Sequence, residues 1–295
     1  MATDHAFIRA VDQRSVSARA AGALHSSRAN SIQLLDRGLR FTLRWVPSGS
    51  EKDAKSAVLP GGPRDPNFNP FLSPDPMLTV GTLGDDHNVV LNKFPVCDRH
   101  LVLARKQFEE QRTPLALTDF VALARIMAEA GGLGFYNGGE AAGASQRHKH
   151  VQWTPGEPGN PGLAYLVDAL PVDQPDQYDC RHPGLPFRHL FVRAHCGRNT
   201  DPDSAAASMF NAFLRACEVL ELKPDSEGLL PPCNMLAQDG WLLMVPRQRE
   251  RVCDVSVNSL SYGGALYITH PDKLDAVRSK GPLAVLAEAG FPSES

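Results

Sequence analysis

The stretch His148-Lys149-His150-Val151-Gln152, entered through Gly143-Ala144-Ser145, holds the residue types of a reaction centre. In an extended strand side chains alternate faces, so His148, His150 and Gln152 project to one side and Lys149, Val151 and Trp153 to the other. Two imidazoles and an amide in a row suit a nucleophilic histidine that attacks phosphorus, with neighbours that set its tautomer and bind the phosphoryl oxygens. On spacing alone a His-x-His pair also serves as metal ligands or stands on a plain solvent-facing strand. No third or fourth ligand stands nearby at a recognisable spacing. His182, His189 and His195 invite a metal reading of their own, but no acidic partner lies close, and His189 reads as part of a strand beside Phe187.

The residues around the histidines are more specific. The run from Phe135 through Asn137, Gly143, Ala144, Ser145, His148 and His150 to Gln152 resembles the active-site segment of ATP adenylyltransferases, also called diadenosine tetraphosphate phosphorylases, in the histidine-triad superfamily. His87 to Pro95 with His100 to Leu103 resembles a second block of that family. A third is Trp241 to Arg247 with Ser256 to Leu260. The resemblance runs from about residue 40 to 270 and departs at Cys97-Asp98-Arg99, where a Pro-Gly-type turn is common. Hydrolytic members of the superfamily carry a third His where this chain has Gln152. An amide donates a hydrogen bond but has no proton to titrate near neutral pH, so the covalent intermediate should await a phosphate acceptor rather than an activated water.

The resemblance implies a role for each matched residue. His150 is the nucleophile, His148 its orienting partner and Gln152 a phosphoryl contact. Asn137 and Ser145 match phosphate-touching positions, and small Gly143 and Ala144 let backbone N–H groups approach the same oxygens. Asn92 would hold nucleotide and Lys93 a phosphate, while Arg247, Asn258 and Ser259 are candidates for the far nucleotide. Lys52, Lys55 and Arg64 lie in a Pro- and Gly-rich stretch from Pro47 to Pro76 that could close on the distal phosphates, with Lys55 favoured. The implied reaction is phosphorolysis of diadenosine tetraphosphate to ATP and ADP, and its reverse, through an AMP-histidine. Mg²⁺ is expected to arrive on the polyphosphate, with no dedicated protein metal site. The competing readings are a dinucleoside polyphosphate hydrolase, a sugar-nucleotide phosphorylase of the same superfamily, and a non-catalytic nucleotide sensor.

Composition sets the outer limits. A chain of 295 residues with 42% hydrophobic content buries one large core or two smaller ones, and a formal charge of −3 argues against a general nucleic-acid binder. Six scattered cysteines form no Cys-x-x-Cys pair and read as reduced thiols. Neither a secretory signal nor a membrane-length apolar run is present, which predicts a cytoplasmic protein with nucleotide and phosphate partners, monomeric or homodimeric.

These side chains need a frame. Residues 5–25 have helical composition, and Phe41 to Val46 alternates as a half-buried strand. Met77 to Leu83, His87 to Lys93, His100 to Ala104, Leu133 to Asn137 and His148 to Thr154 read as strands. Leu117 to Ala130 reads as a helix, with Thr118 as its cap and Gly131-Gly132 as its stop. Phe187 to Ala194 is a further strand, and Asp203 to Leu222 a further helix. Cys233 to Gln238 and Trp241 to Val245 form a hairpin about Asp239-Gly240. Gly263 to His270 is a last strand, and the tail from Pro271 is helical. The pattern predicts an α+β fold: a histidine-triad-like antiparallel sheet with helices on one face, plus N- and C-terminal additions. We expect a single domain over 1–295, with a histidine-triad-like core about 40–200 and an adenylyltransferase-type region about 201–295.

Overall fold

The computed structural model describes residues 6–25, 29–45, 69–156, 162–268 and 271–293. The chain opens with helix α1 (Ala6–Ala20) and the hairpin β1 (Asn30–Asp36) and β2 (Leu39–Trp45). Then come β3 (Thr79–Leu83), β4 (His87–Leu91), β5 (Leu101–Arg105), α2 (Leu117–Ala130), β6 (Leu133–Gly138) and β7 (His150–Thr154). The single turn α3 (Ala164–Val167) leads to β8 (Asp179–Cys180), β9 (Leu190–Arg193), α4 (Pro202–Val219), β10 (Cys233–Gln238) and β11 (Trp241–Pro246). The chain closes with β12 (Arg251–Val252), β13 (Val255–Ser256), α5 (Ser259–Tyr262), β14 (Ala265–Ile268), α6 (Leu274–Lys280) and α7 (Pro282–Ala289).

Nine of these strands make one antiparallel sheet, in the order β3-β4-β5-β7-β6-β10-β11-β9-β8. Apart from the edge strand β3, the order is symmetric about the β6–β10 seam. On one side β4, β5, α2, β6 and β7 follow a path that β8, β9, α4, β10 and β11 repeat on the other. No repeat of fixed period in the sequence announces this duplication of path.

Both faces of the sheet are covered. Helices α2 and α4 lie side by side on one face, where Phe120 meets Phe213 at 5.7 Å between ring centroids. Val151 and Trp153 of β7 point into that core, as the period-two pattern requires. On the other face Phe135, Leu236, Leu243 and Phe191 form a row across four strands, set by the pairings Phe135↔Leu236, Leu236↔Leu243 and Leu243↔Phe191. The addition that covers this row contains β1, β2 and β14, with β14 running parallel to β2 outside the main sheet.

Two local details differ from or match the sequence reading for physical reasons. Thr118 lies inside the first turn of α2 and is not its cap. Asp119 accepts the Ala116 N–H at 2.8 Å, and Thr118 Oγ1 instead accepts from Arg105 at 2.8 Å. The hairpin turn forms as its residues dictate, with positive φ at both Asp239 (47°) and Gly240 (85°).

Candidate functional site

β7 lies in the interior of the sheet, paired with β5 on one side and β6 on the other, and all five of its residues are buried. Register sets Ala104 opposite His150 and Val102 opposite Gln152, so the strand beside the histidine contributes only small apolar groups. Phe71 packs on Val102 and Ala104 and stands 5.1 Å from the His150 ring, forming an apolar wall.

The hydrogen bonds fix each imidazole's tautomer. His150 Nδ1–H donates to the His148 carbonyl at 2.8 Å, which leaves Nε2 as an unprotonated lone pair. Burial pushes the His150 pKa down to about 4, against a partial opposing effect of that bond, so the ring is neutral at physiological pH. His148 Nε2–H donates to the Arg105 carbonyl at 2.7 Å, and its Nδ1 receives Asn69 Nδ2 at 2.9 Å. His148 therefore orients His150 through its backbone carbonyl, not through its ring.

Gln152 is held from behind. Its Oε1 accepts His100 Nε2–H at 2.8 Å, and His100 Nδ1 accepts the Val96 N–H at 3.3 Å. With the oxygen engaged, the amide's NH₂ end is the one left for a ligand. Burial lowers His100 to about 4, so it remains a neutral donor. Asn92 approaches His100 Nε2 at 3.4 Å and caps the turn at Phe94 N–H at 3.0 Å, while Lys93 is exposed at the same end of β4.

A glutamine from outside the motif joins the strands. Gln111 Oε1 accepts the His150 N–H at 2.8 Å, and its Nε2 donates to the carbonyls of His150 at 3.0 Å and Asn137 at 2.9 Å. Asn137 Oδ1 in turn accepts from Asn234 Nδ2 and from the Ser259 N–H, both at 2.9 Å. Asn234 is gripped by Arg247, whose guanidinium also donates to Arg249 O at 2.7 Å and Ala289 O at 3.1 Å. Arg247 and Ser259 thus stand behind Asn137 in a buried scaffold, with their hydrogen-bonding groups engaged by protein.

The small-residue loop is built differently from the expectation. Gly143 and Ala144 donate their N–H groups to the carbonyls of Glu140 (2.8 Å) and Gly139 (3.0 Å), so these donors close the loop on itself instead of facing phosphoryl oxygens. Gly143 has a φ of 87°, and a Cβ there would meet the Asn258 Cβ at 2.7 Å. Glycine is therefore required by its close approach to the turn before α5. Ser145 is exposed at the loop's end. Lys55, with Lys52 and Arg64, lies outside the described residues.

On the reverse face Lys149, 1% exposed, donates to Glu109 at 3.1 Å and Pro114 O at 2.8 Å and pairs with Asp119 at 3.1 Å. His87 Nε2 completes the cluster at 2.9 Å from Asp119. Burial would raise the Asp119 pKa, but the His87 bond and the Lys149 charge outweigh it and hold the carboxyl below its usual range. Gln111, His100, Asn234 and Phe71 are site residues that no local sequence pattern marks. Only His100 lay in a matched block.

The geometry can present a neutral imidazole nitrogen, an amide NH₂ and an asparagine to one ligand from one face of a sheet. A model of the Ap4A phosphorylase N-terminal domain matches residues 1–170, and a model of the ATP adenylyltransferase C-terminal domain matches residues 183–292. Diadenosine 5′,5‴-P1,P4-tetraphosphate phosphorylase 2 of Saccharomyces cerevisiae is 25% identical over 316 residues, covering 96% of this chain and 94% of that protein. The crystal structure of yeast Ap4A phosphorylase Apa2 superposes with a TM-score of 0.80 at 22% identity, covering 98% of this chain and 99% of that one. Its complex with Ap4A gives 0.75 at 22% identity, again covering 98% and 99%. The buried histidine strand, the nine-stranded sheet and matches over most of the chain make this protein a member of the family that joins an Ap4A phosphorylase N-terminal domain to an ATP adenylyltransferase C-terminal domain.

Proposed function

We propose that the chain is an ATP adenylyltransferase that phosphorolyses diadenosine tetraphosphate. The observation that carries this is the His150 Nδ1–H bond to the His148 carbonyl, which fixes Nε2 as a neutral nucleophile. Nε2 attacks the α-phosphorus, the bond to the bridging oxygen breaks, and ATP leaves with that electron pair. The ring becomes a cationic N-linked AMP adduct whose Nδ1–H remains on the carbonyl, stabilising the charge. A phosphate oxygen then attacks the same phosphorus, the P–N bond breaks back to Nε2, and ADP departs. Two in-line displacements retain configuration at phosphorus, and positioning supplies much of the rate.

Gln152 NH₂ and Asn137 are the proposed donors to the transferred phosphoryl group, with Asn92 and Lys93 on the nucleotide beside them. Ser145 and Lys55 are proposed for phosphates of the substrate, and Asn258 for the far nucleotide. Among the described residues no group of three or more His, Cys, Asp or Glu forms a metal site, and the nearby carboxylates Glu109 and Asp119 are turned to Lys149 on the other face. The donor set does not fit a resident Mg²⁺, so Mg²⁺ is proposed only as a companion of the polyphosphate substrate. Six cysteines without a disulfide support a reducing, cytoplasmic setting, and no helix among the described residues is long and apolar enough to cross a membrane. The decisive experiment is product identity from diadenosine tetraphosphate with and without phosphate. Phosphate-dependent ADP and ATP are expected, and phosphate-independent AMP would overturn the reading.

A further inference from the structure

The second half of the sheet carries polar chemistry that this reaction does not use. The segment leading into β9 is tied to the C-terminal tail, with Phe187 bridging Pro292 and the Arg188 N–H donating to Phe291 O at 2.7 Å. There a cavity of about 190 Å³ is lined by Arg181, His182, Leu185, Phe187, Arg188 and His189. Among the described residues no Asp or Glu lines it.

Its hydrogen bonds leave the buried Nε2 of His182 over. His189 uses both ring nitrogens, donating from Nδ1 to Phe187 O at 2.7 Å and accepting the His182 N–H on Nε2 at 2.8 Å. That removes it as a metal ligand. His182 Nδ1 accepts the Gly184 N–H at 3.0 Å, so the proton of the neutral ring sits on Nε2. His182 is 4% exposed, and its Nε2 is buried with no hydrogen-bond partner among the described residues. A buried N–H without an acceptor is costly, and native structures rarely leave one. Arg188 is fixed nearby by the bond from its Nη2 to Leu220 O at 2.9 Å, and Arg181 adds a solvent-facing charge. A buried donor and two guanidiniums, with no carboxylate among the described lining residues, make a site for a compact group rich in acceptor oxygens.

We propose that this cavity is a second anion site that takes a phosphate group, as inorganic phosphate or as the phosphoryl end of a nucleotide, on His182, Arg181 and Arg188. His189 enters β9 four strands from β7, which places the cavity about 19 Å across the sheet from His150 at the usual strand spacing. It is therefore separate from the phosphorus that His150 attacks.

Histidine ring ¹⁵N spectra of the full chain, titrated with inorganic phosphate and separately with AMP at ionic strength held constant with sodium chloride, test the proposal. A saturable shift of the His182 ring is expected, and it should persist in His150→Ala. Arg181→Gln, a change at an exposed residue, should raise the half-saturating concentration about tenfold or more, as loss of one charge-assisted contact does. Arg188→Gln should act in the same direction. Equal affinity for phosphate and AMP would identify free phosphate as the ligand, and tighter AMP binding would identify a nucleotide. No saturable shift at His182, a shift that disappears with His150→Ala, or affinities unchanged in both arginine variants would overturn it.

Discussion

The two halves of the nine-stranded sheet follow the same path and put different chemistry on the same face. In the first half the covered positions of β7 are His150 and Gln152. In the second half the corresponding face of β11 carries Trp241, Leu243 and Val245, all buried in an apolar cluster. Path alone therefore does not make a site. The first half departs from apolar packing at side chains that a neighbour holds in place: Gln111 for the His150 backbone, the His148 carbonyl for its ring, His100 for Gln152. The second half contributes support, because Asn234 of β10 reaches across the seam to hold Asn137.

The sharpest way to break this contrast is His150→Ala against Trp241→Leu. The first should abolish the acid-labile AMP adduct seen by mass spectrometry and lower turnover by at least about a thousandfold, as removal of a nucleophile does. The second should lower the unfolding midpoint while adduct formation survives. Adduct loss in both variants would mean that the halves are not divided into reacting and supporting parts.

Gln111→Leu tests whether the first half depends on placement. It removes three hydrogen bonds that hold His150 and Asn137, and a displacement of the nucleophile by about 1 Å costs on the order of a hundredfold in rate. A fall in kcat with KM nearly unchanged is expected. A loss confined to thermal stability would return Gln111 to the category of ordinary packing.

Gln152→His would add a titratable ring to the reacting half. Water-dependent AMP release should rise several-fold relative to phosphate-dependent ADP release, read from product ratios by chromatography. An unchanged ratio would assign exclusion of water to the walls, Phe71 among them.

The smallest expected effect separates activity from stability by pH. His100, His150 and His189 each fall from an ordinary value of 6.5 to about 4 through burial. Between these values the unfolded chain binds more protons than the folded one, so stability is full above pH 6.5, declines as pH falls through the window, and levels below about 4. Both halves contribute to that decline, whereas the acid limb of turnover should follow only the first half's His150 and His100, near pH 4. A limb near 6.5 would show that His150 titrates as an exposed imidazole.

The reacting strand was legible because it is local: alternation over five residues put His148, His150 and Gln152 on one face. The helix Leu117–Ala130 and the Asp239-Gly240 hairpin were legible for the same reason, since period and turn chemistry are short-range. Gln111 was not, because its contacts with His150 and Asn137 span 39 and 26 residues and a lone glutamine has no periodic signature. Asn234 reaches Asn137 across 97 residues. The duplicated path was hidden because the second half keeps the strand order while replacing the reactive residues with hydrophobic ones. β1 carries little local signal, since Asn30–Asp36 is half-exposed and has a weak apolar pattern. Residue type favours Thr118 as a cap, but the reach of the Asp119 carboxylate to the Ala116 N–H decides the helix start.

Lys149 stands between the two histidines and points the other way, into Glu109 and Asp119. A strand can slip by one residue against its neighbours, and such a slip exchanges its two faces. Here it would swing an ammonium onto the face that carries His150 and leave buried Asp119 and half-buried Glu109 facing imidazoles. Breaking a buried ion pair of this kind costs about 3 to 5 kcal/mol. The lysine thus acts as a key that lets β7 seat in only one alignment, and replacing it with methionine should produce molecules whose histidines are present but face the wrong side.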